Sequence, residues 1–272
     1  MFSIMETIKA TPTNAALGAE ISAIDLSQAL DSLQAAQIRA AYHEHGVLLF
    51  RQQQVSQEEQ VRFSRVFGQP VRHPTSTLAP GPVPEITVIS NVVEQGQAVG
   101  ALGHSEVHFH ADLIFLHTPG TFSVLYAAEV PARGGDTSWA DGCSAYEALD
   151  TKTKERIDDL RVVYTHSRPE YNPNRPAAHP LVSTHPETGR KSLYFSPNHA
   201  QHIQGIDATE SGELLAFIHE HYIAPHFVWT HAWQQGDLVV WDNRRCLHRR
   251  DPFDNNQRRL MKRAQGLGRP SA

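Results

Sequence analysis

The chain has 272 residues, of which 40% are hydrophobic and 19% are charged, so it can bury a sizeable core and is not a disordered chain. Its formal net charge of -5 and isoelectric point near 6.4 lack the basic excess of nucleic-acid-binding proteins, and we expect no nucleic-acid partner. Two cysteines are too few for a disulfide framework or a cysteine-based zinc site, which leaves a reducing compartment as the expectation.

The start of the sequence has no long apolar run behind a basic end, so it does not resemble a signal peptide. No stretch approaches the roughly 20 apolar residues that cross a bilayer. We therefore predict a cytoplasmic protein with no membrane partner, folded as a single domain over residues 1–272. The one unusual total is 17 histidines, which directs attention to a metal or acid–base site.

Two helices are predicted near the start of the chain. The amphipathic segment Ser27–His45 is ended by Gly46 and is followed by an apolar strand, Val47–Phe50. A capping-box pattern, Ser-Gln-Glu-Glu, begins at Ser56 and predicts a second helix that ends at Gly68.

From Glu85 onward the pattern changes to short β-type runs separated by Pro-Gly and Gly-Gly turns, with helical stretches at Thr151–Leu160 and Glu213–Tyr222. The predicted strands are Ile86–Ile89, Val107–Phe115, Thr121–Val130, Val162–Tyr164, Leu181–Thr184, Ser192–Phe195, Phe227–Trp233, Asp237–Trp241 and Arg259–Leu267. Many short strands with helices outside them predict an α+β, mostly β, fold with a jelly-roll (double-stranded β-helix) core and helical cover. Two long proline-rich loops, Pro70–Pro84 and Arg168–Pro180, are candidate lids over a site.

The segment from His104 to Asp112 (HSEVHFHAD) carries the strongest chemical signal. On a strand, alternate side chains share a face, so His110 and Asp112 would project together about 7 Å apart at the backbone. Such a pair can hold one metal ion from adjacent directions. The best candidate for a third ligand is His248, 136 positions later (248 − 112) and just past the strand that ends near Asn243.

Two histidines and one carboxylate on one face, with open positions opposite, are the ligand set of non-haem iron(II) oxygenases. Two neutral imidazoles and a carboxylate leave the ion positively charged, with free positions for a keto acid and for O₂. Taken alone, an H-x-D triplet in a histidine-rich chain is weak evidence, since His110 could be a hydrogen-bonded core residue and Asp112 a turn or surface residue.

Three further motifs accompany it, and they are Gly134-Gly-Asp-Thr137, Trp241-Asp-Asn-Arg-Arg-Cys-Leu-His248 and Arg258-Arg-Leu-Met-Lys-Arg263. In this order and with this spacing, the chain resembles the family of taurine dioxygenase and 2,4-dichlorophenoxyacetate dioxygenase from about residue 16 to about residue 268. The resemblance implies a homo-oligomeric enzyme that uses Fe(II), 2-oxoglutarate and O₂. Such an enzyme hydroxylates an aliphatic C–H bond of a small substrate and releases succinate and CO₂.

The resemblance also implies roles for individual residues. His110, Asp112 and His248 are the expected iron ligands and catalytic residues. Arg259, eleven positions after His248 (259 − 248), is expected to pair in bidentate fashion with the distal carboxylate of 2-oxoglutarate, for which a planar guanidinium is suited. Thr137 is expected to add a hydroxyl hydrogen bond to the same cosubstrate.

Arg263 and His73 match positions that lie near the substrate's anionic group in some family members, which implies an anion pocket. The chain departs from the family pattern at Phe109, where many members have tryptophan, and at Glu106, where the taurine enzyme has a neutral polar residue. If Glu106 lines the pocket, the substrate carries an amine or other cation as well as an anion. If it does not, Glu106 solvates a loop.

Two other interpretations remain open. His108 and His110 form an H-x-H pair of the kind found in some zinc hydrolases, where metal-bound water is the nucleophile, although this leaves the Gly-Gly-Asp-Thr and arginine motifs unexplained. A non-catalytic β-sandwich that binds a ligand or a partner protein is the other. The arginines between Arg244 and Arg263 are, apart from the two assigned above, typical of a solvated face or an oligomer contact.

Overall fold

A computed structural model of the chain describes residues 8–74, 81–168, 171 and 176–268. Its α-helices are α1 Ser32–His45, α2 Gln57–Ser64, α3 Gly142–Ala148, α4 Thr151–Ile157 and α5 Ala208–Tyr222. Its strands are β1 Lys9–Pro12, β2 Ala19–Ser22, β3 Val47–Phe50, β4 Pro70–Val71, β5 Thr87–Ser90, β6 Val93–Glu94, β7 Gln97–Ala98, β8 Ala101–Leu102, β9 Val107–His110, β10 Gly120–Glu129, β11 Thr137–Asp141, β12 Arg161–Tyr164, β13 Ala177–Pro180, β14 Val182–Thr184, β15 Lys191–Leu193, β16 Ala200–Ile203, β17 Val228–His231, β18 Leu238–Asp242, β19 Cys246–Arg250 and β20 Leu260–Leu267. None of these helices combines the length and apolar character needed to cross a bilayer.

The helices begin where capping residues satisfy their first free N–H groups. Helix α1 starts after Asp31 rather than at Ser27, because Asp31 and Gln34 form a reciprocal capping box, and it ends as expected at Gly46, which has a φ of 72°. Helix α2 has the predicted capping box at its start but ends at Ser64, after which the backbone makes only tighter, three-residue turns. The sequence therefore located both helices and misplaced one end of each.

Two sheets position the site. The large sheet has the strand order β1-β2-β3-β18-β10-β20-β5-β8, with β4 also paired to β20, and the small sheet has the order β17-β11-β19-β9. The pairs that connect the site, β10–β18, β10–β20, β11–β19 and β19–β9, are all antiparallel.

Alternation along the strands decides which side chains enter the space between the sheets. In β18, Leu238 and Val240 pack outward with residues of α1 and α2, whereas Val239 and Trp241 pack inward. The inward cluster also contains Trp139 from β11, so the two sheets share one apolar core. On its outer side the small sheet packs against α3 and α5. This is a jelly-roll sandwich with helical cover, and the predicted fold class is confirmed.

The same alternation brings polar side chains to the inner space. Met261 packs inward, and Arg263 lies two positions further along β20. Cys246 packs inward, and His248 lies two positions further along β19. Because residues two apart on a strand share a face, the arginine and the histidine both face the space between the sheets.

Most of the late arginines are buried rather than solvated. Arg245, Arg250, Arg259 and Arg263 are only 4%, 6%, 2% and 6% exposed. Arg245, for example, lies 2.7 Å from the buried carboxylate of Asp141. The interpretation as a solvated face is therefore wrong for Arg245 and Arg250, and the burial of Arg259 and Arg263 agrees with the ligand roles expected of them.

The two proline-rich loops predicted as lids lie partly outside the described residues. Residues 75–80 of the first loop and residues 169–170 and 172–175 of the second belong to that part. Of the second loop, Tyr171 is described, and its ring lies 4.8 Å from that of His166.

Candidate metal and cosubstrate site

His110, Asp112 and His248 meet between the two sheets. Their ligand atoms all lie within 4.8 Å of one another, with Nε2 of His110 3.8 Å and Nε2 of His248 3.9 Å from the carboxylate of Asp112. The structure thus brings together the three predicted ligands from two distant parts of the chain. This donor set of two imidazoles and one carboxylate is the one that non-haem iron(II) sites use.

The two histidines are cross-strand neighbours. His110 in β9 pairs with His248 in β19, which places their rings 4.1 Å apart. His248 thus lies beyond the end of β18, as the sequence suggested, and it belongs to a strand of its own. Nδ1 of His110 donates to the carbonyl of His108 at 2.8 Å, which leaves the Nε2 lone pair for a metal ion.

Asp112 reaches the site from a turn rather than from a strand. Strand β9 ends at His110. The backbone of Asp112 bonds to the side chain of Asn243 instead of to a neighbouring strand. This side chain accepts from the N–H of Asp112 and donates to its carbonyl, both at 2.8 Å. The hydroxyl of Ser123 donates to Oδ2 of Asp112 at 2.9 Å. The sequence correctly predicted that Asp112 and His110 lie close together. Strand alternation is not the reason, because Asp112 lies beyond the end of β9.

A β-bulge separates His110 from the other polar residues of its strand. His248 pairs with His110 and Arg250 pairs with Val107, so the two residues between the pairs on β9 lie opposite the single residue Arg249 on β19. Val107 and His110 consequently line the inner cavities, whereas His108 lines a separate surface depression. The hydrolase interpretation, which required His108 and His110 to share a metal ion, is not supported by this geometry.

Glu106 lies in the same outer depression as His108. Its carboxylate is 3.4 Å from Nδ1 of His108 and 4.0 Å from the guanidinium of Arg249. Of the residues predicted to bind substrate, Glu106 is the one that the structure does not bring to the metal ligands.

Electrostatics favour the ligating protonation states. Burial, assisted by neighbouring His110, lowers the pKa of His248 to about 3, and burial also lowers the pKa of His110. Burial opposes ionisation of Asp112, but Arg263 and the two imidazoles outweigh it and hold the pKa of that carboxyl well below its ordinary value. At neutral pH the site therefore offers two neutral imidazoles and one carboxylate.

Arg263 contacts the metal-ligand set directly. Its Nη1 donates to both oxygens of Asp112, at 3.0 and 3.2 Å. The ion pair is buried, which makes its geometry well defined. Arg263 also lines the cavity that contains His73, so the two residues predicted for substrate binding share one space.

A narrow cavity beside His110 and His248 contains both residues predicted for the cosubstrate. It is lined by Thr137 and Arg259 together with the apolar side chains of Ile89, Leu125 and Trp241. Nε of Arg259 is buried without a hydrogen-bond partner in the described part of the chain, and burial lowers the pKa of Arg259 to about 9. A buried guanidinium with free donors is suited to a carboxylate such as the distal one of 2-oxoglutarate.

Thr137 has a hydroxyl proton available for the same ligand. Its Oγ1 accepts a hydrogen bond from Nε1 of Trp233 at 2.9 Å, and both residues are buried. Since the oxygen already accepts, its own O–H remains to donate. The two residues predicted for the cosubstrate thus line one cavity with the metal ligands.

A wider cavity of about 450 Å³ opens on the other side of His110 and Asp112. Its far wall carries His166, Arg168, Tyr171 and His199, with Phe115 packed edge-on against both imidazoles at 4.8 and 4.7 Å. Arg168 and Tyr171 belong to the loop Arg168–Pro180 that the sequence predicted as a lid, although no role was predicted for either side chain. For His166 and His199 the histidine count was the one signal, and it did not distinguish among 17 candidates.

Asn243 is the other functional residue that was missed. It belongs to the Trp-Asp-Asn-Arg motif that supported the family resemblance, but no role was inferred for its side chain. A contact over 131 positions with Asp112 leaves no local pattern by which it could be found.

Comparisons with known proteins agree with the geometry. The model of the taurine catabolism dioxygenase TauD, TfdA family matches residues 7–265. The alpha-ketoglutarate-dependent 2,4-dichlorophenoxyacetate dioxygenase of Cupriavidus pinatubonensis is 34% identical over 96% of this chain and 98% of its own length. An alkylsulfatase of Acinetobacter baylyi is 33% identical over 91% of this chain and 81% of its own length.

Solved structures show the same fold. The crystal structure of AAD-2 in complex with Mn(II) and N-oxalylglycine is 32% identical, covers 98% of this chain and 100% of that one, and superposes with a TM-score of 0.83. These similarities do not favour the interpretation as a non-catalytic sandwich. The chain therefore belongs to the taurine catabolism dioxygenase TauD, TfdA family, and it is a 2-oxoglutarate-dependent dioxygenase that uses Fe(II) and O₂.

Proposed function

We propose that this dioxygenase hydroxylates an aliphatic C–H bond of a small organic anion. The observation that carries the proposal is the charge of the wider cavity. Its described lining contains two guanidinium groups, Arg168 and Arg263, and a single carboxylate, that of Asp112, which belongs to the metal-ligand set. Apolar side chains such as Leu113 and Phe115 complete the wall and suit the carbon skeleton of a substrate.

The residue roles that support this activity follow from the geometry. We assign His110, Asp112 and His248 to iron, and Arg259 with Thr137 to 2-oxoglutarate. When bound, iron(II) with 2-oxoglutarate and O₂ supplies the oxidation that converts R–H to R–OH, while 2-oxoglutarate becomes succinate and CO₂.

The chain's own side chains bind and orient the reactants. Arg259 holds the cosubstrate in a cavity whose apolar walls exclude water. Arg263 and His73 hold the anionic end of the substrate, which points a C–H bond toward the metal ligands. Burial and Arg263 lower the pKa of His73 to about 4, so His73 contributes a neutral imidazole rather than a second cation.

Glu106 narrows the substrate class. Because it lies in the outer depression and not in the cavity, it offers no partner for a substrate amine, and we propose an anionic rather than a zwitterionic substrate. The relatives support this choice, since 2,4-dichlorophenoxyacetate and alkyl sulfates each carry an anionic group.

Succinate release over a panel of small carboxylates, sulfonates and sulfate esters tests the substrate class, with each acid paired with a neutral amide or alcohol of similar shape. We expect turnover of acids alone. Arg263→Gln should lower kcat/KM by about 10- to 100-fold, the equivalent of one lost hydrogen bond between charged groups. Arg249→Gln, outside the cavity, is the matched control. Iron content is measured in parallel because Arg263 contacts Asp112. Equal turnover of the neutral analogues would contradict the proposal.

An anaerobic titration tests the metal ligands. Iron(II) with 2-oxoglutarate gives a weak visible charge-transfer band when the keto acid chelates the metal. We expect His110→Ala and Asp112→Ala to abolish the band and His108→Ala to retain it. Full turnover in both of the first two variants would show that the ligand assignment is wrong.

A further inference from the structure

A second group of metal-type ligands lies outside the catalytic centre. His43 is near the end of α1, and His185 and Glu187 lie in the connection between β14 and β15. One ligand atom from each lies within 4.8 Å of the other two. We propose that these three side chains bind a divalent cation, with zinc as the preferred ion and water completing a tetrahedral set.

The spacing of two of the ligand atoms suits zinc without rearrangement. Nδ1 of His185 is 3.3 Å from Oε2 of Glu187. In a tetrahedral site with metal–ligand bonds of about 2.0–2.1 Å, neighbouring ligand atoms lie roughly 3.3–3.4 Å apart. The ring of His43 approaches that of His185 edge-on, with the centroids 5.5 Å apart.

The hydrogen bonds of His185 present a lone pair to this position. Its Nε2 lies 2.7 Å from Oδ2 of Asp242, which can only accept, so Nε2 carries the proton. Its Nδ1 accepts a long hydrogen bond from the backbone N–H of Thr188 at 3.3 Å, so Nδ1 is unprotonated. A cation would replace this bond at the single Nδ1 lone pair, and it would make the 3.3 Å contact between Nδ1 and the carboxylate of Glu187 favourable. A histidine that donates its other N–H to a carboxylate is the usual arrangement around protein metal ions.

The carboxylate of Glu187 would be shared between the cation and Arg244. Arg244 pairs with Asp242 through two bonds, from Nε to Oδ1 at 3.0 Å and from Nη2 to Oδ2 at 2.8 Å, so these two charges compensate each other. Nη1 of Arg244 also lies 3.0 Å from Oε2 of Glu187, which the arginine and the cation then share.

One ligand of the proposed zinc site is buried and another is open to solvent. The side chain of His185 is 3% exposed and that of Glu187 is 47% exposed, so the site combines a fixed ligand with an entrance from solvent. Burial and neighbouring His185 lower the pKa of His43, which favours the neutral, ligating form of that imidazole.

The position of the site connects it to the catalytic centre. Asp242, which orients His185, is followed by Asn243, whose side chain holds the backbone of Asp112. Zinc at this point would fasten the end of α1 and the β14–β15 connection to the strand that places the catalytic carboxylate.

Zinc binding is tested in a His110→Ala background, which disables the catalytic ligand set. Zinc alone is titrated by equilibrium dialysis, and cobalt(II) is used as a spectroscopic probe because its tetrahedral complexes absorb visible light far more strongly than six-coordinate ones. We expect one tight equivalent with a tetrahedral cobalt spectrum. Adding Glu187→Gln or His43→Gln should weaken this equivalent by at least about 100-fold, since loss of an outer partner alone costs about 10- to 100-fold.

Matched controls are Glu213→Gln and His226→Gln, which alter exposed residues of the same types outside both clusters. They should leave the tight equivalent unchanged. The proposal is overturned if the His110→Ala protein binds no zinc, which is the result expected when a proton rather than a metal ion lies between His185 and Glu187. It is equally overturned if the bound zinc is insensitive to both Glu187→Gln and His43→Gln, because the ion would then sit on the remaining catalytic ligands.

Discussion

Replacement of Asn243 by alanine tests how the catalytic carboxylate is held in place. The side chain of Asn243 accepts from the N–H of Asp112 at 2.8 Å and donates to the carbonyls of Asp112 and Gly120 at 2.8 and 2.9 Å. Asn243 is 1% exposed. Alanine removes all three bonds and leaves one N–H and two carbonyls without these partners in a buried position.

The size of the effect follows from these contacts. Each internal hydrogen bond contributes about 1 kcal/mol net, and a buried polar group left unpaired costs about 1–3 kcal/mol. Three such groups lead us to expect a loss of about 3–5 kcal/mol in the free energy of unfolding. Because the backbone of Asp112 is released at the same time, the Fe(II) affinity should fall by about 10- to 100-fold, as for other residues that orient metal ligands.

Urea unfolding of the metal-free protein and anaerobic Fe(II) titration with 2-oxoglutarate measure the two effects. Asn256→Ala is the control, since Asn256 lies in an exposed turn, and it should change the free energy of unfolding by no more than about 0.5 kcal/mol. A loss of less than about 1 kcal/mol in Asn243→Ala would refute the reasoning. So would a full loss of stability with unchanged Fe(II) affinity, because Asn243 would then not position Asp112.

Three further predictions concern ionisable groups that are wholly or partly buried. Arg259→Lys should raise the KM for 2-oxoglutarate by at least about 10-fold with iron still bound, because an ammonium cannot form the bidentate pair; succinate release measures it, and an unchanged KM would remove that role. Arg245→Met should lower the free energy of unfolding by about 3–5 kcal/mol, because it leaves the buried Asp141 carboxylate unpaired; a urea midpoint equal to that of the parent protein would contradict this. Burial lowers the pKa of His248 to about 3 and that of His199 to about 4, from the ordinary 6.5. Below pH 6.5 the unfolded chain therefore binds more protons than the folded protein does. The free energy of unfolding of the metal-free protein should consequently decrease as the pH falls. The slope is up to about 1.4 kcal/mol per pH unit for each imidazole, and His199→Phe should reduce it in urea titrations at pH 7 and pH 5, whereas an unaltered slope would exclude His199 as a source.

Short sequence patterns predicted those parts of the fold that depend on residues close together in the chain. The capping box at Ser56 and the left-handed residue Gly46 are local devices, and each lies where the sequence predicted it. Strand β18 was recognised from a continuous apolar run, because it is buried on both faces between the helices and the small sheet. Short or polar strands such as β1, which contains a proline and is fully exposed, carry no such signal.

The candidate site depended more on motif order than on periodicity. His110, Asp112 and His248 were first proposed from residue types and alternation, the order of the accompanying motifs strengthened the choice, and the structure brings the three together. Alternation along an uninterrupted strand would place Glu106 and His108 on the same face as His110, but the bulge breaks this alternation. The contact between Asn243 and Asp112 is equally invisible to periodicity, since it depends on how two distant segments meet.

The bulge in β9 also determines which ring of this strand faces the metal site. Two histidines stand two positions apart on this strand, and the extra residue assigns them to opposite sides, His110 to the interior and His108 to the surface. In a regular ladder counted from Val107, every side chain after the bulge would lie on the opposite face. The interior would then receive the benzyl group of Phe109 in place of the His110 imidazole. Deletion of Phe109 removes the extra residue, so the shortened strand is expected to keep His110 opposite His248 without a bulge.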